Sequence, residues 1–167
     1  YLQDKFQDEV KETVGGICAG AIDLYNAVLK EMLPTPAKSH YTFNLRDLAK
    51  VFQGILQAHP KRVQTIPSMV RMWVHESQRV FKDRLINYDD TGWFDTTVGN
   101  IVKARFDLEY KELITVKLLF YGDYMVPGAD PKIYEEVKDQ EQLQKQMYEY
   151  LNDYNDESKT PMMLVLF

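Results

Sequence analysis

The sequence predicts a mainly α-helical fold: a small helical bundle with a short strand pair and an appended C-terminal helical segment. Three observations support this class. Apolar residues recur at spacings of three and four along several long stretches, proline- and glycine-containing turns separate those stretches, and only two short segments, 116–120 and 133–137, are candidates for extended structure. Apolar residues make up 45% and charged residues 27% of the 167, as in globular chains that bury a core.

The first predicted helix covers about residues 3–32. Its apolar stripe consists of Leu2, Phe6, Val10, Val14, Ile17, Ala21, Leu24, Val28 and Met32. Gly15, Gly16 and Gly20 lie inside it, and each costs about 1 kcal/mol relative to alanine in a helix interior. We therefore expect either a break or a close helix contact near residues 15–16. The run Leu33-Pro34-Thr35-Pro36 ends the helix.

The next two predicted helices each have a recognisable start. Asn44 is a good N-cap, and Asp47 three residues later forms a weak version of a capping box. The apolar stripe of this second helix consists of Leu45, Leu48, Val51, Phe52, Ile55 and Leu56. A third helix starts at Thr65-Ile66-Pro67, with the proline in its first turn, and runs to about Ile86.

The remaining elements are shorter. Residues 87–92 are predicted to form a turn, and a fourth helix follows from Trp93 or Asp95 to about Phe106. Near the C-terminus, Gln140 to Tyr154 reads as a helix with one apolar face. That face comprises Leu143, Met147, Tyr150, Leu151 and Tyr154.

Charge divides the chain unevenly. The total is −5, but residues 1–120 carry 16 basic against 15 acidic residues, whereas residues 121–167 carry 4 against 10. The change coincides with turn-forming residues in 121–132, so we interpret that stretch as a connector between a main body and a smaller acidic piece. The unbroken apolar run 162–167 would expose apolar surface to water at the end of a free chain. We therefore expect the sequence to be a fragment of a longer polypeptide.

Composition excludes several kinds of function. The negative charge disfavours a nucleic-acid partner, and the absence of an apolar run of about 18 residues disfavours a membrane span. A single cysteine, Cys18, permits neither a disulfide framework nor a cysteine-based zinc site, and we expect it to be buried and inert. His75-Glu76 resembles the start of a zinc-protease motif, but Arg79 stands where the second histidine belongs. No metal site is predicted, and His75 is expected at the helix surface or an interface.

Acidic pairs and phosphate loops give no catalytic site either. Asp89-Asp90 and Glu135-Glu136 are expected to be solvated surface groups, since nothing fixes their separation. No glycine-rich loop ending in Lys-Ser or Lys-Thr is present, so the chain does not cradle a nucleotide's phosphates by itself. No catalytic residue is therefore assigned.

One local arrangement is more informative. Asn44-Leu45-Arg46-Asp47 places an arginine in the first turn of a helix, where free N–H groups and the helix dipole favour an anion. A cation there opposes the dipole, at a cost of a few tenths of a kcal/mol to about 1 kcal/mol. From the spacing alone, two readings stay open: Arg46 faces an anion in the intact protein, or it is a surface residue paired with Asp47 or another acid.

Three collinear blocks carry a family resemblance. Residues 33–55 read LPTPAKSHYTFNLRDLAKVFQGI, and residues 73–85 read WVHESQRVFKDRL. Residues 148–167 contain Tyr154-Asn155 and end on MLVLF. Together they resemble dynein heavy chains, most of all the axonemal ones. The first block is long and specific to that family, whereas residues 1–30 and 99–118 match less well.

The resemblance implies where the chain lies within a larger motor protein. In dyneins this stretch is the helical lid of the third AAA+ module, followed by the start of the fourth. It implies a lid over residues 1–120, a connector over 121–132 and the lead-in of the fourth module over 133–167. Arg46 would then hold the sensor position that reaches the terminal phosphate of the nucleotide, supported by the helix N-terminus at Asn44 and Leu45.

Further expectations follow from the same resemblance. The intact motor would bind ATP or ADP with Mg, whereas the fragment alone would hold no ligand and catalyse nothing. Its direct partners would be the large subdomain of its own module and the following module. Microtubules and the dynein intermediate and light chains would bind other regions, and the location would be the cytoplasm, the cytoskeleton and the axoneme of cilia and flagella. The alternative is a stand-alone helical protein-interaction module, with the tail helix or the run 162–167 as its surface.

Overall fold

The computed structural model describes residues 6–116 and 118–165, and it confirms the mainly helical class. The chain divides into two compact units, Tyr1–Leu119 and Phe120–Phe167. The first unit contains α1 (Asp8–Glu31), α2 (Leu45–Ile55), α3 (Ile66–Phe81), α4 (Tyr88–Phe106) and the short α5 (Tyr110–Leu113). Two 3₁₀ turns, Pro36–Lys38 and Lys82–Arg84, precede α2 and follow α3.

Helix α3 is the centre of the first unit. Ten of its sixteen residues are buried, because α1 and α2 both pack against it. Its buried residues are Met69, Val70, Met72, Trp73, Val74, His75, Glu76, Ser77, Val80 and Phe81. Its N-terminus has proline in the first turn, as the sequence predicts, and a reciprocal capping box between Thr65 and Ser68 that the sequence analysis did not identify. It ends at Phe81 rather than near Ile86, since the chain tightens into the 3₁₀ turn.

Helix α1 is continuous through its glycines. The expected break near residues 15–16 is absent, and the alternative, a close helix contact, is what the glycines provide. A Cβ on Gly16 would lie 2.7 Å from Phe106 of α4, and one on Gly20 would lie 3.2 Å from Ile101. The helix is described from Asp8, and the predicted start at residue 3 lies outside the described residues.

Helix α4 begins earlier than predicted, and the expected turn over 87–92 is wrong. Asn87 is the N-cap, with its side-chain oxygen accepting from the backbone N–H of Asp90 at 2.8 Å. Asp89 and Asp90 then occupy the first turn, where negative charge suits the helix dipole. Turn-type composition and a capped first turn look alike in sequence, because both use Asn, Asp and Gly.

The second unit pairs two short strands. β1 (Phe120–Gly122) runs antiparallel to β2 (Glu135–Val137), with Tyr121 opposite Glu136. The predicted segment 133–137 contains β2, whereas β1 lies at the end of the predicted 116–120 and beyond it. Helix α6 (Gln140–Glu157) is capped by Asp139 and extends one turn past the predicted Tyr154. Among the described residues, no helix has the length and apolarity needed to cross a membrane.

Helices α2 and α3 approach closely at one glycine. A Cβ built on Gly54 would lie 1.9 Å from Oε2 and 2.1 Å from Cδ of Glu76, which is fully buried. Gly54 therefore makes room for a buried carboxylate. Gly15 in α1 is the opposite case, because a Cβ there meets nothing within 4 Å.

We predict opposite effects for two glycine-to-alanine changes. Gly54→Ala forces Glu76 to move and should lower the free energy of unfolding by about 1–3 kcal/mol. Gly15→Ala is the matched control and should raise that free energy by up to about 1 kcal/mol through helix propensity. Urea denaturation followed by circular dichroism measures both, and equal effects would contradict the close approach at Gly54.

Candidate functional site

The candidate site is the N-terminus of α2. The Asn44 side-chain oxygen accepts from the backbone N–H of Arg46 at 2.8 Å, and the Asp47 carboxylate accepts from the backbone N–H of Asn44 at 3.1 Å. This is a full reciprocal capping box, so the weak version expected from sequence is complete in the structure. The first turn of α2 is therefore fixed in position before any ligand arrives.

Asp47 is the anchor of this turn. It is 2% exposed, and both its oxygens face Arg84, with Arg84 Nη2 2.5 Å from Oδ1 and Nη1 3.3 Å from Oδ2. Lys50 Nζ lies 3.6 Å from Oδ1. Burial alone would raise the pKa of Asp47, but the hydrogen bonds from Arg84 and Asn44 and the positive charges of Arg84 and Lys50 outweigh it. The pKa is lowered overall, and the carboxylate is ionised.

Arg84 is itself held by its surroundings. Its guanidinium lies over the ring of Phe43 at 5.4 Å, a cation–π contact, and its carbonyl oxygen lies 3.0 Å from Nε2 of His40. The residue thus ties the 3₁₀ turn after α3 to the loop before α2. The sequence analysis assigned Arg84 no role, although it lies in residues 73–85, the second block that resembles dynein heavy chains. The sequence signal for this role was that Arg84 is a second arginine, besides Arg46, that could pair with Asp47.

The loop before α2 has a further anchor in Asp90. Its carboxylate accepts from Lys38 Nζ at 2.6 Å and from the hydroxyl of buried Tyr41 at 2.7 Å, and the same hydroxyl accepts from the backbone N–H of Ile86. The expectation that Asp89-Asp90 is a solvated pair is therefore wrong for Asp90, whose side chain is only 14% exposed.

Arg46 has a different environment from Asp47. Its side chain is exposed, and within residues 6–116 and 118–165 it makes no hydrogen bond or ion pair. Consecutive helical residues point about 100° apart, so Arg46 and Asp47 face different directions. Asp47, the acid named in the surface-pair reading, is bonded to Arg84 instead. Leu45, beside Arg46, is 70% exposed, and Leu56 is 51% exposed. The sequence analysis had placed both on the apolar stripe of this helix.

Two other sequence expectations are corrected by the structure. Cys18 is exposed on α1 rather than buried, because the buried face of the helix runs through Ile17 and Ala21. His75 is buried rather than at the helix surface, and its Nδ1 lies 2.8 Å from the carbonyl oxygen of Leu119. In the described part of the chain, no three His, Cys, Asp or Glu side chains cluster as metal ligands.

These features define a helical unit with an exposed cation at one helix N-terminus. A family model of the AAA+ lid domain matches residues 17–116, more than half of the chain. The chain therefore belongs to the AAA+ lid domain family.

Individual relatives indicate which proteins with such a lid the chain resembles. Dynein axonemal heavy chain 1 of Rattus norvegicus is 45% identical over 148 residues, 87% of this chain. Dynein axonemal heavy chains 2 and 6 of Homo sapiens are 42% and 39% identical over 99% and 100% of it. The resemblance to axonemal dynein heavy chains is confirmed. The chain spans only 3% to 4% of the length of these relatives.

The Asp47–Arg84 pair makes stability sensitive to acid. Because folding lowers the pKa of Asp47, its stabilisation is complete above the pKa of an unfolded aspartate, about 4, and disappears as the pH falls through the folded-state value. Asp47→Asn should lower the free energy of unfolding by about 1.5–3 kcal/mol at pH 7. The gap between the two proteins should close as the pH falls below about 4.

Urea denaturation from pH 7 to pH 2 measures this gap. Asp153→Asn on the exposed side of α6 is the control and should leave stability nearly unchanged at every pH. A gap between wild type and Asp47→Asn that stays constant across the whole range would contradict an ionised, paired Asp47.

Proposed function

We propose that this chain is the lid of the third AAA+ module of an axonemal dynein heavy chain and that Arg46 senses the nucleotide held by that module. The observation that carries the proposal is the pairing at the start of α2. Arg84 occupies both oxygens of Asp47, while the guanidinium of Arg46 stays exposed at a capped helix N-terminus. A planar, permanently charged group in that position suits a phosphate oxygen.

The residues fit an anionic ligand of this class. The first turn of α2 supplies the positive end of the helix dipole, and a phosphate there relieves the unfavourable placement of Arg46 beside it. ATP carries a terminal phosphate that ADP lacks, so contact with Arg46 distinguishes the two. Only such a difference in binding shifts the equilibrium between two lid orientations. Mg and the remaining phosphate contacts would be held by residues of the large subdomain.

The proposed place in the motor follows the relatives. We propose residues 1–120 as the lid, 121–132 as the connector and 133–167 as the lead-in of the fourth module. The direct partners are the large subdomain of the same module and the following module, within one polypeptide. Exposed Leu45, next to Arg46, suits contact with that large subdomain. Microtubules and the intermediate and light chains bind elsewhere, and the location is the cytoplasm, the cytoskeleton and the axoneme of cilia and flagella.

The motor role is part of the same proposal. The intact heavy chain would move along microtubules towards their minus ends and drive the beating of cilia and flagella. The third module would be regulatory, and the lid would pass its nucleotide state around the ring. The fragment would not be catalytic alone.

A second candidate function rests on the tail. Met162, Met163 and Val165 are 53%, 86% and 59% exposed, which would suit a surface that binds another protein. Under this alternative the chain is a stand-alone helical interaction module. The native transcript separates the two: a reading frame that continues into a phosphate-binding loop soon after Phe167 supports the motor, and a stop codon there supports the module.

We predict that Arg46→Ala, made in the intact heavy chain, weakens the preference of the third module for ATP over ADP. The expected loss is about tenfold or more, because a hydrogen bond to a charged group is worth about 1.5–3 kcal/mol. Nucleotide competition binding and motility as a function of the ATP-to-ADP ratio measure it. Arg46→Lys keeps the charge without the planar fork and should retain part of the preference.

Lys61→Ala is the matched control, because it removes one positive charge from the exposed loop between α2 and α3. It should leave the preference unchanged. Wild-type velocity and wild-type nucleotide dependence in Arg46→Ala would count against the sensor role.

A further inference from the structure

A buried acid and a buried histidine lie between α2 and the end of the first unit. Glu76 is fully buried on α3, with its carboxylate against the backbone of Gly54 in α2. Arg79 holds Oε2 of Glu76 through two hydrogen bonds of 2.7 Å and 3.0 Å. A displacement of α2 at Gly54 therefore acts first on this carboxylate, because no side chain of Gly54 separates the two.

His75 lies beside Glu76 on α3. Its Nε2 lies 3.8 Å from Oε1 of Glu76, so the two side chains lie close together inside the unit. On its other side, Nδ1 is 2.8 Å from the carbonyl oxygen of Leu119. A carbonyl only accepts, so Nδ1–H is the donor of that bond. One imidazole therefore has Glu76 at one nitrogen and the backbone of Leu119 at the other.

The bond to Leu119 belongs to a row of polar contacts. We call residues 110–119 the exit segment, since they end the first unit, and the structure describes all of them except residue 117. Arg71 donates to the carbonyl oxygen of Leu113, and Gln78 donates to the hydroxyl of Tyr110 at 3.1 Å. Arg71, His75 and Gln78 are spaced by four and three residues and share one face of α3. That face holds the exit segment by polar contacts.

We propose that the Glu76–His75 pair transmits movement of α2 to the exit segment. In this arrangement Gly54 bears on Glu76, Glu76 lies against His75, and His75 holds the carbonyl of Leu119. His75 is thus a positioning residue with two separable parts: Nδ1 anchors the exit segment, and Nε2 faces the carboxylate that α2 displaces. The biological use of this path rests on the proposed nucleotide-sensing function, but the path itself can be tested without nucleotide.

The test is NMR-detected hydrogen exchange in the 167-residue chain. Gly54→Ala pushes Glu76 and should speed exchange in the exit segment by about tenfold relative to the slowest-exchanging amides of α1, which report global destabilisation. The amides of Leu113 and Ile114 are good reporters, because they donate to the carbonyls of Glu109 and Tyr110. Gly15→Ala, the open-space control, should leave these rates unchanged.

Two histidine variants separate anchoring from transmission. His75→Ala removes both nitrogens and should speed exchange in the exit segment by itself. His75→Asn keeps an amide nitrogen near the position of Nδ1 but has no counterpart of Nε2. It should leave the exit segment protected as in wild type, and on the same relative scale the exchange of that segment should be insensitive to Gly54→Ala. A purely structural role for His75 does not predict that insensitivity.

The outcomes are decisive in both directions. Exchange that Gly54→Ala leaves unchanged in wild type, or speeds equally in wild type and His75→Asn, overturns the proposal. If Gly54→Ala unfolds the chain, Glu76→Gln replaces it, since it alters the group facing Nε2 while keeping the side chain's shape. The same pattern is then required. Failure of Arg46→Ala to alter nucleotide preference would refute the sensor and leave this result standing.

Discussion

The ion pair between Asp47 and Arg84 is the constraint on which the start of α2 depends. A carboxylate removed from water is strongly destabilising unless other groups replace the lost hydration. Here two guanidinium nitrogens, one backbone N–H and a nearby ammonium do so. Removing Arg84 would leave the buried carboxylate of Asp47 uncompensated, which costs about 3–5 kcal/mol, far more than the intact pair contributes. The pair therefore fixes geometry more than it adds stability.

A second buried acid, on α3, is paired with an arginine in the same way. Glu76 on α3 is paired with Arg79, as Asp47 on α2 is paired with Arg84. Both arginines come from α3 or the 3₁₀ turn that follows it. Each acid touches the backbone of α2, Asp47 at its cap and Glu76 at Gly54. An ion pair thus holds the start of α2 against the turn after α3, a close approach at Gly54 holds its other end against α3, and Val51 and Ile55 are buried on the same helix.

The sequence predicted most of the fold because most of it depends on local rules. The apolar stripe of α1, the cap of α2 and the proline-marked start of α3 follow from spacing and from short-range interactions. What it could not predict depends on partners distant in the chain. Arg84 meets Asp47 across 37 residues, and His75 meets Leu119 across 44. Exposure of Cys18 and Leu45 likewise follows from which faces the neighbouring helices cover, which one stripe alone does not determine.

The exposure of Arg46 has a physical consequence for any sensing role. An arginine already satisfied within its own unit gains little from a phosphate, since one hydrogen bond merely replaces another. A ligand shifts an equilibrium only by the difference in its affinity for the two states. The unit that carries a sensor must therefore leave that sensor unsatisfied, and something must keep the nearest acid away from it. Helix geometry turns Asp47 away from Arg46, and Arg84 occupies both oxygens of Asp47, so under the proposed sensing role the cation at the start of α2 is available to a phosphate.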